Sequence, residues 1–451
     1  MRQSSSLKPR VLIETLGCKV NHYESQGLAA GFRQTGWDVV KKAPFDAVVI
    51  NSCAVTAEAG RQSLQSARRA LKRYPEALVA LTGCEVVADP EKVLEIKELG
   101  AIFGNHGKKN LVAELTQKIF ADKSRKTGSV AVDFSGELEI DLLRADSIRG
   151  RSRAVVKVQD GCNSFCRYCI IPYLRGRCRS LEPEKVLAEC RELAAAGFRE
   201  VVLTGIHLGR YGDDAGKSFS LTSLLLRMVN ELPGLRIRLG SLQPHEITPE
   251  IIELLLDPQI VVCEHLHLSL QSASDRVLGA MGRPYRRPDI EDIFMQLTEG
   301  VGRVAIGTDL IVGFPAETES AFAETYALIE KVSLTYLHVF PYSPRQGTVA
   351  ASWPDRVSAT EKKLRAKQIA DLGRTKRDEF AQANIGRPLN VLIETKKEDK
   401  GEGACWFGHS RNYLPTIIPI SENMTQFRAG DEIIVTPRKW ENGRLLAEKS
   451  T

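Results

Sequence analysis

With 451 residues, of which 43% are hydrophobic, 26% charged and 6% aromatic, the chain has the length for two to four domains at roughly 150 residues each and is not a disordered polypeptide. A net charge of +6 permits an anionic partner without demanding one. No apolar run approaches the ~20 residues of a membrane span, and the opening MRQSSSLKPR has no apolar stretch to act as a secretory signal, which predicts a cytoplasmic protein with no membrane contact. Ten cysteines are too dilute for a disulfide framework, and in a reducing compartment clustered ones bind metal or do chemistry.

Residues 8–122 alternate strand-like runs (RVLIET, DAVVIN, LVALTG) with helix-like stretches from Glu58 to Tyr74 and from Pro90 to Leu99, which predicts a parallel sheet covered by helices. Each of the three runs ends at a cysteine: Cys18 in ETLGCKVN, Cys53 in VINSCAVT and Cys84 in LTGCEVV. Taken singly, each reads as well as a buried packing thiol. In a parallel sheet, however, the loops after the strands emerge on one edge, so three equivalent placements predict a shared metal centre. The helix from Glu58 carries Arg61, Arg68, Arg69, Lys72 and Arg73, and reads as a solvated face ahead of a nucleic-acid contact. Residues 123–150, rich in Lys, Arg, Ser, Gly and Asp, lack a period and read as a linker.

In residues 151–380 the runs AVVKVQ, EVVLTG, RIRLGS, HLHLSL, RVAIGTDLIVG and TYLHVF are separated by helical stretches beginning near Glu182, Leu221, Thr248, Pro288 and Thr318. Strand–helix–strand connections are almost always right-handed, so this succession predicts a partial (βα)6 barrel with its functional groups at the C-terminal strand ends. The segment DGCNSFCRYCIIPYLRGRCRS follows the first strand directly. It places Cys162, Cys166 and Cys169 on the loop at the barrel mouth, with Cys178 further on. A structural zinc site would use a fourth ligand to close its tetrahedron, and Cys178 lies outside common zinc-knuckle spacing. An iron–sulfur cubane on three thiolates keeps one iron open for a ligand. Residues 384–449 (LNVLIET, WFGHS, PTIIPI, DEIIVTPRKW) are short β-rich pieces between Gly, Asn and Lys turns, the pattern of a small antiparallel β-barrel. Their charge balance alone gives no argument for RNA binding.

The motif Cys162-x3-Cys166-x-Tyr168-Cys169, at the start of a repeated βα array, resembles that of the radical S-adenosylmethionine (SAM) superfamily. That resemblance implies a 4Fe-4S cluster on the three cysteines and SAM at its open iron. It puts Tyr168 near the adenine and Gly205, in LTG, by the methionine amino group. Ser241 and Gln271, near later strand ends, are further cofactor-binding candidates, with a packing or turn role equally open. Together with TLGCKVNHYES and NSCAVTAEA, the segment resembles the methylthiotransferase family over almost the whole chain. The family pattern implies an N-terminal cluster domain, a radical SAM core and a C-terminal TRAM-type β-barrel, with a second 4Fe-4S cluster on Cys18, Cys53 and Cys84. It also implies a tRNA anticodon stem-loop as substrate, an electron donor such as flavodoxin or ferredoxin, and a sulfur source.

Lys19-Val20-Asn21, after the first cysteine, is similar to the branch that methylthiolates N6-threonylcarbamoyladenosine at tRNA position 37. Isopentenyladenosine tRNA or a ribosomal-protein aspartate is the alternative substrate. A zinc-stabilised RNA-binding protein is the alternative of another class. The threonyl carboxylate suits an arginine fork, for which Arg175, Arg177, Arg179, Arg283, Arg286 and Arg287 are candidates; contacts with the cofactor carboxylate, tRNA phosphates or solvent are their other readings. His207, His245, His265 and His267 read as packing or hydrogen-bonding residues, and none is assigned as an acid or base. Cys190, Cys263 and Cys405 read as small buried hydrophobes.

Overall fold

The computed structural model describes residues 8–105, 107–121, 152–214, 218–257, 259–297, 303–354, 357–399, 403–420 and 426–450. The predicted linker at 123–150 lies outside them. The N-terminal sheet holds β1 (Arg10–Thr15), β2 (Asp38–Val39), β3 (Ala47–Ser52), β4 (Leu78–Gly83) and β5 (Ala101–Phe103), all parallel, in the order β2-β1-β3-β4-β5. Every residue of β3 and β4 is buried, as befits central strands covered on both faces. The two faces follow the period-2 alternation of a strand. Ala47 and Val49 pack with Leu28 and Phe32 of α1 (Lys19–Gln34) and with Leu111 and Leu115 of α5 (Lys108–Ala121). Val48 and Ile50 pack with α2 (Ala57–Arg73), α3 (Cys84–Ala88) and α4 (Pro90–Leu94). Thr56 caps α2 by accepting from the Ala59 amide at 3.1 Å, and the five basic residues of this helix are exposed, as a solvated face requires. The helix predicted from Pro90 to Leu99 ends at Leu94, because Ile96 and Leu99 turn inward to the core ahead of β5.

The central domain contains the six predicted strands: β6 (Arg153–Lys157), β9 (Glu200–Thr204), β10 (Arg236–Leu239), β12 (His265–Gln271), β13 (Ala305–Val312) and β14 (Tyr336–Pro341). Two two-residue strands, β7 (Gln159–Asp160) and β8 (Arg179–Ser180), pair antiparallel, and β11 (Ser241–Leu242) continues β10 after a break at Gly240. Because β10 pairs with β9 and β11 with β12, the parallel strands run β6-β9-β10/β11-β12-β13-β14 in chain order. Among the described residues β6 and β14 do not pair, so the barrel stays open.

The helices α7 (Pro183–Ala195), α8 (Leu221–Glu231), α9 (Pro249–Leu256), α11 (Arg287–Gln296) and α12 (Glu319–Lys331) begin where the sequence places them. Two more are short, α6 (Ile171–Arg175) and α10 (Asp275–Met281). Leu266, Leu268 and Leu270 of β12 join the core beneath the helices. The alternate residues His265, His267, Ser269 and Gln271 therefore face the inside of the barrel.

The long helix α13 (Ala359–Ala383) packs on β14 and leads to a closed five-stranded barrel in the order β15-β16-β17-β19-β18, comprising β15 (Leu389–Asp399), β16 (Gly403–Ser410), β17 (Pro415–Pro419), β18 (Glu432–Glu441) and β19 (Arg444–Lys449). Its pairs are antiparallel as predicted, except that β17 and β19 run parallel to close the ring. The barrel is fixed to the central domain by Ser152, whose hydroxyl donates to the Ile393 carbonyl at 2.9 Å, and by Arg238, which donates to the Arg411 carbonyl at 2.8 Å. No described helix is long and apolar enough to cross a membrane.

Candidate active site

The β7–β8 hairpin folds the loop of Cys162, Cys166 and Cys169 back on itself. Gly161, at its entry, has φ +71°, and a Cβ there would lie 2.0 Å from the Arg177 carbonyl oxygen, so no other residue fits. The Cys162 amide donates to the Gly176 carbonyl at 3.1 Å and the Cys169 amide to the Cys166 carbonyl at 2.9 Å. Cys169, although partly accessible, has its thiol pushed up to about 12, by burial first, with Cys166 and Cys162 adding to it. Cys162 is lowered: burial would raise it, but His207, whose Nδ1 lies 3.3 Å from the sulfur, and the Ser164 amide outweigh that. Arg283 donates to the Cys166 sulfur at 3.5 Å. Three thiols on one short, folded-back loop are a donor set that a bound cation would complete, which is what a 4Fe-4S cluster requires. The Cys178 sulfur accepts from the Gln159 side chain at 3.3 Å and faces the Arg210 carbonyl, apart from the three.

Cys18, Cys53 and Cys84 leave the C-terminal ends of β1, β3 and β4. Gly17, at φ +95°, lets the first loop pass against the second, since a Cβ there would sit 2.6 Å from the Cys53 sulfur. The Cys53 thiol is pushed up to about 11, by burial first, with Cys84 and Cys18 adding to it. Cys18 is raised by burial, Arg175 working against the shift and Cys84 with it. Asn105 donates to the Cys84 sulfur at 3.5 Å. The structure thus draws together three residues far apart in the chain.

The two cysteine groups meet across α6. Cys84 packs with Ala54, Ile170 and Leu174, so the helix that follows Cys169 is the wall of the second group. Arg175 corrects an expectation: it is not a rim residue open to substrate but is 1% exposed. It donates to Asn21 Oδ1 at 2.7 Å, to Glu24 Oε1 at 2.8 Å and to Asp160 Oδ1 at 3.3 Å. Lys108 also pairs with Glu24, and Lys157 bridges Glu24 and Asp160 at 3.4 and 3.3 Å. Burial by itself would raise Glu24, yet Arg175, Lys108 and Lys157 hold it well below the usual carboxylate range. Asp160 is lowered in the same way by Lys157 and Arg175.

Arg283 is likewise buried, donating to the Tyr285 hydroxyl at 2.8 Å as well as to the Cys166 sulfur. Arg179 donates to the carbonyls of Arg177 and Arg175, and Arg287 pairs with Glu291. Arg177 and Arg286 are exposed, Arg177 lying over the Phe165 ring at 4.9 Å and Arg286 holding the carbonyls of Arg283 and Tyr285. Tyr168 packs edge-on against Phe314, at 6.5 Å between centroids. Gly205 sits where a Cβ would meet Gln159 Oε1 at 2.7 Å. Ser241 is exposed beside His267, and Gln271 closes β12 with φ +66°.

Sequence reading missed the polar wall inside the barrel. His267 Nε2 and His338 Nδ1 each lie 3.1 Å from Asp309 Oδ1, and the Tyr336 hydroxyl contacts His265 at 2.8 Å and His267 at 3.1 Å. Arg238 grips Glu200 through two bonds of 2.8 and 3.1 Å and lies over the Tyr413 ring. The alternation in HLHLSLQ and YLHVF was the available signal. His207 also belongs here: Glu246 and Cys162 raise it to about 9 against the opposing effect of burial. Lys19, the residue after Cys18, extends into this wall. Its ammonium is lowered by burial first, then by Arg238 and Arg153, with Asp309 and Glu200 opposing. Lys19 and Cys18 nonetheless both present accessible surface.

A six-stranded parallel half-barrel with a three-cysteine loop after its first strand defines a radical SAM enzyme, and the radical SAM superfamily profile matches residues 156–329. Its cofactors are therefore SAM and an iron–sulfur cluster. The profile described as uncharacterized protein family UPF0004 matches residues 10–104. The fold is similar to that of the radical SAM methyltransferase TsrM from Kitasatospora setae, with a TM-score of 0.54 and 15% identity over 76% of this chain and 77% of that one. The chain is 34% identical to the threonylcarbamoyladenosine tRNA methylthiotransferase MtaB of Bacillus subtilis (strain 168), over 92% of this chain and 91% of that protein. It is 36% identical to the protein of the same name from Aquifex aeolicus, over 85% and 92%. To a tRNA-2-methylthio-N(6)-dimethylallyladenosine synthase of Acetivibrio thermocellus it is 33% identical, over 86% and 82%. The chain belongs to the radical SAM methylthiotransferase family.

Proposed function

We propose that the protein methylthiolates tRNA, converting N6-threonylcarbamoyladenosine at position 37 of the anticodon loop to its 2-methylthio derivative. The observation that carries this reading is the pair of three-cysteine groups joined at α6: the loop of Cys162, Cys166 and Cys169 runs directly into this helix, and Cys84, of the group with Cys18 and Cys53, packs with Ile170 and Leu174 there. Each would hold a 4Fe-4S cluster. When bound, the cofactors supply a radical that removes hydrogen from adenine C2 and a methylated sulfur that replaces it, at the expense of two SAM molecules.

The protein's own part is placement and exclusion of water. Tyr168, Gly205, Ser241 and Gln271 frame SAM, His207 and Arg283 brace the thiolates of Cys162 and Cys166, and α6 fixes the spacing between the two centres. The C-terminal barrel, of TRAM type, holds the tRNA, and Arg177 and Arg286 of the central domain are exposed for phosphate. A flavodoxin- or ferredoxin-like donor delivers electrons, and an external source replenishes sulfur. Several relatives bear the threonylcarbamoyladenosine name and others the dimethylallyladenosine name, so the N6 substituent is the point to test.

Mass spectrometry of tRNA nucleosides from a deletion strain is the test. Loss of 2-methylthio-N6-threonylcarbamoyladenosine is the expected result, and its persistence would overturn the reading. Anaerobically purified protein is expected to be brown with iron and sulfide; colourless zinc protein would instead favour an RNA-binding module.

A further inference from the structure

The cysteine loop and α6 expose a stack of side chains that neither the core nor the charge network uses. Phe165, between Cys162 and Cys166, has φ +44°, a left-handed conformation that a bulky side chain rarely adopts. Its ring meets that of Tyr173 edge-on, with 5.6 Å between centroids and 77° between planes. The Arg177 guanidinium lies over the Phe165 ring at 4.9 Å. Tyr173 is 53% exposed and Arg177 is exposed too, and the guanidinium has no ion pair or hydrogen bond among the described residues. The neighbouring arginines differ: Arg175 is sealed among acids, and Arg179 is turned back on the carbonyls of Arg177 and Arg175.

The chemistry of the stack says what covers it. Aromatic faces beside an unpaired cation match a ligand that is itself flat, aromatic and anionic, which describes a nucleotide in an unpaired strand. The base offers a π face and the linkage a phosphate charge, and a guanidinium held on a ring serves the second without losing the first. Place favours the same occupant. Phe165 sits between two cysteines of one group, and Tyr173 adjoins Leu174, which packs with Cys84 of the other. A base held for reaction between the two groups has its strand neighbours running over this surface. A disfavoured backbone that holds a partly exposed ring in place, with no core to fill, points to a ligand for that ring.

We propose that Phe165, Tyr173 and Arg177 form a stacking site for an unpaired base next to the reacting adenosine, Tyr173 taking the face of the base and Arg177, held by Phe165, its phosphate. This rests on the tRNA reading above and deepens it, by naming a contact on the anticodon loop separate from the modified base itself. Because every base has a π face, the site adds affinity without selecting sequence.

The test uses the full-length reconstituted holoenzyme and an anticodon stem-loop containing N6-threonylcarbamoyladenosine, with 2-aminopurine placed in turn on either side of it. The wild type is expected to quench the fluorescence of 2-aminopurine at one of the two positions. At matched iron content, Tyr173→Ala is expected to lose that quenching and to bind the stem-loop about 10- to 100-fold more weakly, whereas Tyr173→Phe keeps both. An abasic site at the quenched position is expected to weaken wild-type binding by a similar factor, a readout that needs no variant. If neither position is quenched, if the abasic stem-loop binds the wild type as well as the intact one, or if Tyr173→Ala behaves as the wild type, the inference falls while the tRNA reading stands. It falls too if Tyr173→Ala keeps its RNA affinity and loses turnover with a protein electron donor but not with dithionite, because the stack is then the donor's docking surface. If the wild type binds no such stem-loop, the tRNA reading falls and takes the inference with it.

Discussion

The two three-cysteine groups reach the same kind of arrangement by opposite routes. Cys162, Cys166 and Cys169 lie within one loop, held by a two-residue hairpin and a glycine that no side chain can replace. Cys18, Cys53 and Cys84 are brought together by the parallel order of β1, β3 and β4, so their geometry depends on a whole sheet. A local site is specified by a short motif and tolerates distant change. A distributed site inherits the stability of the domain that builds it, and here it also leans on α6 of the neighbouring domain.

The sharpest way to separate the two is chemical. Replacing Cys162, Cys166 and Cys169 by Ala is expected to abolish both SAM cleavage and methylthiolation. Replacing Cys18, Cys53 and Cys84 by Ala should abolish methylthiolation while 5′-deoxyadenosine is still produced. Iron content should fall by about half in each; loss of SAM cleavage in the second variant would show that the groups are not independent.

Next in size is the joint between them. Arg175→Met leaves Glu24 and Asp160 without their central cation, and denaturant unfolding is expected to show a loss of about 3–5 kcal/mol. Gly17→Ala strikes only the distributed group, because the new methyl meets Cys53. A cost of about 1–3 kcal/mol is expected, with iron lost from the N-terminal group and the 5′-deoxyadenosine assay unchanged.

The smallest effect is a pH dependence that tells the joint from its surroundings. Glu24 and Asp160 have folded pKa values below their unfolded ones. Their stabilisation is present above the ordinary carboxylate range and lost as pH falls through the folded values. Glu189 of α7 has the opposite sign. Burial raises it from 4.5 to about 8, although Tyr23 of the N-terminal domain donates to it at 3.3 Å. Its contribution is therefore complete below about 4.5 and lost as pH rises towards 8. Glu189→Gln is expected to flatten the alkaline limb of a Tm-against-pH curve by a few degrees and to leave the acid limb in place.

The sequence by itself determined the order of strands and helices, the local cysteine loop and the likeness of the three strand-end cysteines, because these are properties of short windows: period-2 and period-3.6 hydrophobicity, turn residues and a spacing motif. It also indicated the small β-barrel, though not the parallel pairing of β17 with β19 that closes it. What the tertiary structure alone decided is which polar groups face one another. Arg175 and Arg177 are two residues apart in the chain, yet one is sealed in an ion network and the other lies open on an aromatic ring. Lys19 reads in sequence only as part of the Lys19-Val20-Asn21 stretch after the first cysteine, and the packing of α1 against β6 is what puts it in the field of Arg238 and Asp309. The physical reason is that hydrophobic pattern records burial along one element, whereas charge pairing depends on distances between elements, which exist only once the domains have closed on each other.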